Sequence, residues 1–105
     1  MIEIPLQQIP NQEVSVVLDG QNCVINLRQM GGFVYLTLTA DNVPICTTHV
    51  CQSGEPIPVW NTPNFSGRLF FVDENGKFAP PRYEELSARY RLFYATSDEW
   101  QQLTA

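Results

Sequence analysis

Strict alternation of apolar and polar residues through the first half of the chain limits its fold more than any other feature. Val14, Val16 and Leu18 alternate with Glu13, Ser15 and Asp19, the period-two pattern of a strand with one buried face. Asp19-Gly20 then supplies a tight reversal, because glycine has no Cβ to clash at positive φ. Cys23, Ile25 and Leu27 alternate with Val24, Asn26 and Arg28 on the return, which completes a β-hairpin. Gly31-Gly32 forms the next turn. Val34, Leu36 and Leu38 come next, alternating with Phe33, Tyr35, Thr37 and Thr39, a run rich in aromatic and β-branched residues. After Asp41-Asn42, Val43, Ile45, Thr47, His49 and Cys51 are expected to face one way and Cys46, Thr48 and Val50 the other. Such strands with short connections predict an antiparallel meander.

The second half is less regular. Pro56, Pro58 and Pro63, with Gly54 and Gly67, exclude a central strand over residues 52–67. Trp60 and Phe65 are apolar anchors that would pack this loop on the domain or on a partner. Strand pattern resumes at Arg68-Leu69-Phe70-Phe71-Val72 and closes on Asp73-Glu74-Asn75-Gly76. A Pro80-Pro81 loop with one helical turn near Tyr83–Leu86 precedes a last strand, Arg89-Tyr90-Arg91-Leu92-Phe93-Tyr94. Thr96 or Ser97 can cap a short C-terminal helix, with Glu99 at capping-box spacing from Thr96 and Trp100 and Leu103 on one face. The expectation is an all-β fold, a small antiparallel β-barrel or sandwich of six to eight strands plus that helix. A single domain is expected across residues 1–105.

Charge narrows the function classes. The formal net charge is -5, with six basic residues spread thinly, whereas a nucleic-acid binder needs a basic patch to replace phosphate counterions. Arg82, Arg89 and Arg91 read as strand-face and loop charges, so direct nucleic-acid binding is not expected. Only 16% of residues are charged, and the polar-neutral surface this leaves is common on proteins that bury much of it in assemblies. No apolar run reaches the ~18 residues of a membrane span, and Met-Ile-Glu-Ile-Pro does not resemble a signal peptide. Three cysteines, an odd number, argue against a disulfide framework and for a reducing cytoplasm.

The segment Cys46-Thr47-Thr48-His49-Val50-Cys51 invites a zinc reading. On a continuous strand, however, Cys46 points away from His49 and Cys51, and Cys23 from a neighbouring strand leaves the set short. His49 and Cys51 share a face but lack a third orienting group for nucleophilic catalysis. Asp73 and Glu74, like Glu84 and Glu85, read as solvated acids of turns rather than a glycosidase pair. No catalytic residue, metal or cofactor is therefore expected. The aromatics point elsewhere. A face carrying Phe33, Tyr35, Arg89, Arg91 and Phe93 has the aromatic and arginine content of a protein interface. Trp60 and Phe65 of the Pro-rich loop are further candidates.

The order of short motifs carries a resemblance. Pro5-Leu6, Pro10-Asn11-Gln12, Leu18-Asp19-Gly20-Gln21 and Leu27-Arg28-Gln29 open the chain. Val43-Pro44-Ile45, Gly67-Arg68-Leu69, Phe71-Val72-Asp73, Gly76 and Glu85-Leu86 followed by Ala88–Tyr94 continue it. From about residue 3 to residue 95 this resembles the baseplate plug proteins of contractile-tailed bacteriophages. The family's usual Asp-Gly turn is Asp41-Asn42 here, and asparagine also tolerates positive φ. The resemblance implies a non-enzymatic virion component at the junction of tail tube and hub-spike, assembled in the bacterial cytoplasm. Its implied partners are baseplate, tail-tube and hub-spike proteins, with several copies around the tail axis. The alternative from the residues alone is a small ligand-binding β-barrel with the Pro-rich loop as a lid.

Overall fold

The chain runs β1 (Ile2–Ile4), β2 (Asn11–Leu18), β3 (Gln21–Met30), β4 (Phe33–Ala40), β5 (Val43–Val50), β6 (Arg68–Asp73), a 3-10 turn (Tyr83–Glu85), β7 (Tyr90–Ala95) and α1 (Ser97–Thr104). These elements come from a computed structural model that describes residues 1–57, 65–77 and 79–104. The turns take the conformations their residues favour. Asp19 and Gly20 have φ of 52° and 75°, and Asp41 and Asn42 have 48° and 66°. Two successive positive φ values match the twist of the flanking strands. Register therefore runs without a slip from Leu18↔Gln21 to Asn11↔Arg28.

Two antiparallel sheets result, ordered β2-β3-β4-β5 and β1-β7-β6. The chain crosses between them only at edges, from β1 to β2 and from β5 to β6. The short dimension of the molecule is 20 Å, which suits two sheets stacked about 10 Å apart. Alternation decides what lies between them. Ile25, Leu27, Leu36 and Leu38 from one sheet meet Ile4, Leu69, Phe71 and Leu92 from the other in one buried cluster. Among the described residues no ladder joins the sheets, so the architecture is a sandwich and not a closed barrel.

The fifth strand departs from simple alternation. Leu36 pairs with His49 but Leu38 with Cys46, and a second shift occurs between Leu38 and Thr39. Each bulge adds a residue and reverses the facing of the residues beyond it; Thr48, at φ 50°, sits in one of them. The expectation that Cys46 faces away from His49 and Cys51 is thus corrected. Cys46 and His49 lie opposite the core-facing Leu38 and Leu36. Cys51 donates its N–H to Val34 at 2.8 Å and is fully buried.

Residues after β5 cover the edge of β6. Ile57 and Leu69 exchange two hydrogen bonds of 2.7 Å, and Gly54 donates to Phe71 at 2.8 Å. At the other end, α1 has the expected capping box. Thr96 Oγ1 accepts from the Glu99 N–H at 3.3 Å, and Glu99 Oε1 accepts from the Thr96 N–H at 2.9 Å. Trp100 then packs on Phe70, ring centroids 5.4 Å apart.

Candidate protein interface

The sandwich puts Phe33 and Tyr35 on one outer surface and Arg91 and Phe93 on the opposite one, where the sequence suggested a single face. Phe33 and Tyr35 belong to β4, and their side chains lie on the outer face of the four-stranded sheet. Phe33 is 41% exposed and pairs with Met30, itself 39% exposed, across the Gly31-Gly32 turn. Tyr35 is half-buried between Arg28 and Val50. Along this face a shallow depression of about 320 Å³ is lined by Glu13, Asn26, Arg28, Tyr35, Thr37 and Thr48. Met30 is the residue that alternation alone missed. A two-residue turn at Gly31-Gly32 places it opposite Phe33, so the signal lay in the turn length.

Arg91 and Phe93 belong to β7, on the outer face of the other sheet. Phe93 is half-buried beside Phe70, centroids 6.0 Å apart, and Trp100 packs on Phe70 from above. Arg91 donates to both Glu3 oxygens at 3.1 and 3.2 Å and lies 3.3 Å from Glu74. The one-face arrangement fails because β4 and β7 belong to different layers, whose outer faces point apart.

Arg89, just before β7, turns inward instead. It donates from Nε to Asp73 Oδ1 at 2.9 Å and from Nη2 to Oδ2 at 3.2 Å, the two-pronged geometry that guanidinium favours. Asp73 also accepts the N–H groups of Asn75 at 3.0 Å and Ala79 at 3.1 Å. Its side chain is 1% exposed, so it is not the solvated turn acid the sequence suggested. The Arg89 bonds, followed by those from the Ala79 and Asn75 amides, hold its carboxyl well below the usual carboxylate range. Phe65 is buried at 1% exposure against Tyr94, which removes it as a surface contact. Trp60 lies outside the described residues.

The thiols are the reverse of activated nucleophiles. Burial pushes Cys51 above the ordinary thiol range, with Cys46 and Glu55 adding to the effect, and burial raises Cys46 and Cys23 as well. A reactive cysteine needs the opposite environment. His49 Nε2 is 2.7 Å from Glu55 Oε1. Among the described residues no group of three or more His, Cys, Asp or Glu is gathered to hold a metal ion, and no helix is long and apolar enough to cross a membrane.

Comparison with protein families gives this sandwich a setting. Residues 1–98 match the family model described as cyanophage baseplate Pam3 plug gp18. The chain belongs to this baseplate plug family. The matched span includes all seven strands and stops inside α1. No curated protein matches the chain. Membership makes this plug a structural part of a phage tail baseplate and gives it a place in the virion tail. The resemblance read from Pro5-Leu6 through Tyr94 thus identified the family, and the segments carrying it meet in space. Asp73 and Arg89, from two of them, form the ion pair that holds the buried Asp73 carboxylate.

Proposed function

We propose that the plug sits at the junction of tail tube and hub-spike, works through protein contacts alone, and is present in several copies around the tail axis. The observation that carries this reading is the family match across the whole sandwich. Raised thiol pKa values and an aspartate neutralised by Arg89 support a role without catalysis. The subunit assembles with its neighbours in the bacterial cytoplasm. Its contact surface is the outer face of β3 and β4, where Met30 and Phe33 form an exposed apolar pair beside Tyr35 and Arg28; such aromatic and arginine-rich patches mark interface centres. Arg91 and Phe93 contribute from the opposite face.

The experiment is a phage carrying Phe33→Ser with Met30→Ser. Both side chains are exposed, so the purified variant keeps the wild-type unfolding midpoint within about 0.5 kcal/mol. The expected result is incomplete or leaky contractile tails by electron microscopy. Complete, infectious tails from that variant would remove the face from the interface. A gene deletion that left tails complete would overturn the plug role itself.

A further inference from the structure

The outer edge of β2 is the one long sheet edge among the described residues without a proline, a register shift or a bridging strand, guarded only by the Glu13 charge and flanked by residues 5–9. Natural sheets guard edges with prolines, bulges, short strands or covering loops. The β5 edge has Pro44 and two register shifts. The β6 edge is bridged by Ser53 and Ile57. The first strand has three residues and runs into Pro5. By contrast β2 is eight residues long, free of proline and in unbroken register.

Its hydrogen-bonding groups have a definite direction. Leu18 and Gln21 flank a two-residue turn, so they exchange both ladder bonds. The Gln29 N–H donates to Pro10 O at 2.8 Å, in the same phase. Even-numbered positions of β2 therefore bond to β3, and Asn11, Glu13, Ser15 and Val17 turn their N–H and C=O groups to the open edge. Among the described residues no hydrogen bond reaches that edge. Beside it runs a groove of about 430 Å³, walled by Pro5, Gln7 and Ile9. Val17, at 62% exposure, is the most exposed large apolar side chain among the described residues.

We propose that β2 pairs antiparallel with β2 of a second copy of this chain, about a two-fold axis at Ser15. Strand facing restricts the register: paired residues must share a face, so only pairings of equal parity extend the sheet. Centring on Ser15 sets Val14 against Val16 of the second copy on the inner face and Glu13 against its Val17 on the outer face. Charge selects this register over its neighbour. Glu13 is the only ionisable residue in the strand, and here the two carboxylates stand about 14 Å apart along the strands. Centring on Val14 would make them diagonal neighbours at roughly 7 Å. The pairing is isologous and uses both open edges at once, so it closes at two copies and does not propagate. It is a property of the free protein and stands independently of the plug's position in the baseplate.

The test is sedimentation equilibrium on the full chain from about 1 µM to several hundred µM. A species of twice the 11.9 kDa chain mass is expected. Val17→Glu sets a new carboxylate opposite Glu13 of the other copy at both ends of the pairing. It should weaken the dimer by about tenfold with an unchanged circular dichroism spectrum. Glu13→Lys added to Val17→Glu restores pairing by making both contacts opposite in charge. Ser15→Pro removes only an outward N–H and should give a folded monomer. A wild-type protein that stays at the monomer mass overturns the proposal. So does a folded Val17→Glu or Ser15→Pro variant that pairs like wild type, or a double variant that is not restored.

Discussion

Replacing Gly67 with alanine would put a methyl group where Tyr94 already lies. A Cβ built on Gly67 would stand 2.3 Å from the Tyr94 hydroxyl oxygen, 2.4 Å from Cε1 and 2.5 Å from Cζ. Carbon atoms in favourable contact stay about 3.5–4.0 Å apart, so something must move by about an ångström or more. The ring has little room to do so. Tyr94 is 2% exposed, sits on the central strand of its sheet, and packs at 60° to Phe65 with centroids 5.7 Å apart. Overpacking of this kind costs about 1–3 kcal/mol, and each kcal/mol lowers Tm by about 4–8 °C in a chain of this size. The Tyr94 hydroxyl is itself buried with no partner among the described residues, and burial pushes its pKa up to about 12. Tyr94→Phe should therefore be neutral or stabilising by about 1 kcal/mol. In that background Gly67→Ala still costs at least about 1 kcal/mol, because the Cε1 and Cζ contacts remain. Urea unfolding of the four proteins, read as midpoints at constant slope, measures the cycle. A Gly67→Ala midpoint equal to wild type would refute the steric argument. A clear loss on Tyr94→Phe would show that the hydroxyl is bonded after all.

Two further outcomes rest on single contacts. The Asp73 carboxyl has a folded pKa held far below its unfolded value of about 3.9, so below about pH 4 the unfolded chain binds the extra proton. Its contribution to stability is fully present above that pH and fades as pH falls toward the folded pKa. Asp73→Asn should be less stable at neutral pH and lose less on acidification, as followed by thermal melts across the acid range; an acid limb as steep as wild type would count against this pair as its source. Thr96→Ala removes the cap of α1 at a cost of about 1 kcal/mol. Among the described residues none of α1 belongs to the buried cluster, so amide exchange should quicken in residues 97–104 while the global midpoint stays put.

Much of this plug was readable from local chemistry. Apolar positions two apart and turn residues able to take positive φ act within a few residues of each other, so β2 to β4 and their turns could be assigned from sequence. The capping box of α1 is local too. The ordered motifs also sufficed to place the chain in its family. What escaped were contacts between distant segments. Nothing around Asp73 shows that Arg89 will neutralise it and let it be buried. The bulges of β5 exchange one residue of facing for another, so period-two reasoning put Cys46 on the wrong side. Phe33 and Phe93 looked like neighbours on one surface until β4 and β7 were assigned to different layers. Alternation states that a strand has two faces, and it states which residues share them. Only the stacking of two sheets decides which core faces meet and which outer faces point apart, because that depends on which layer each strand joins.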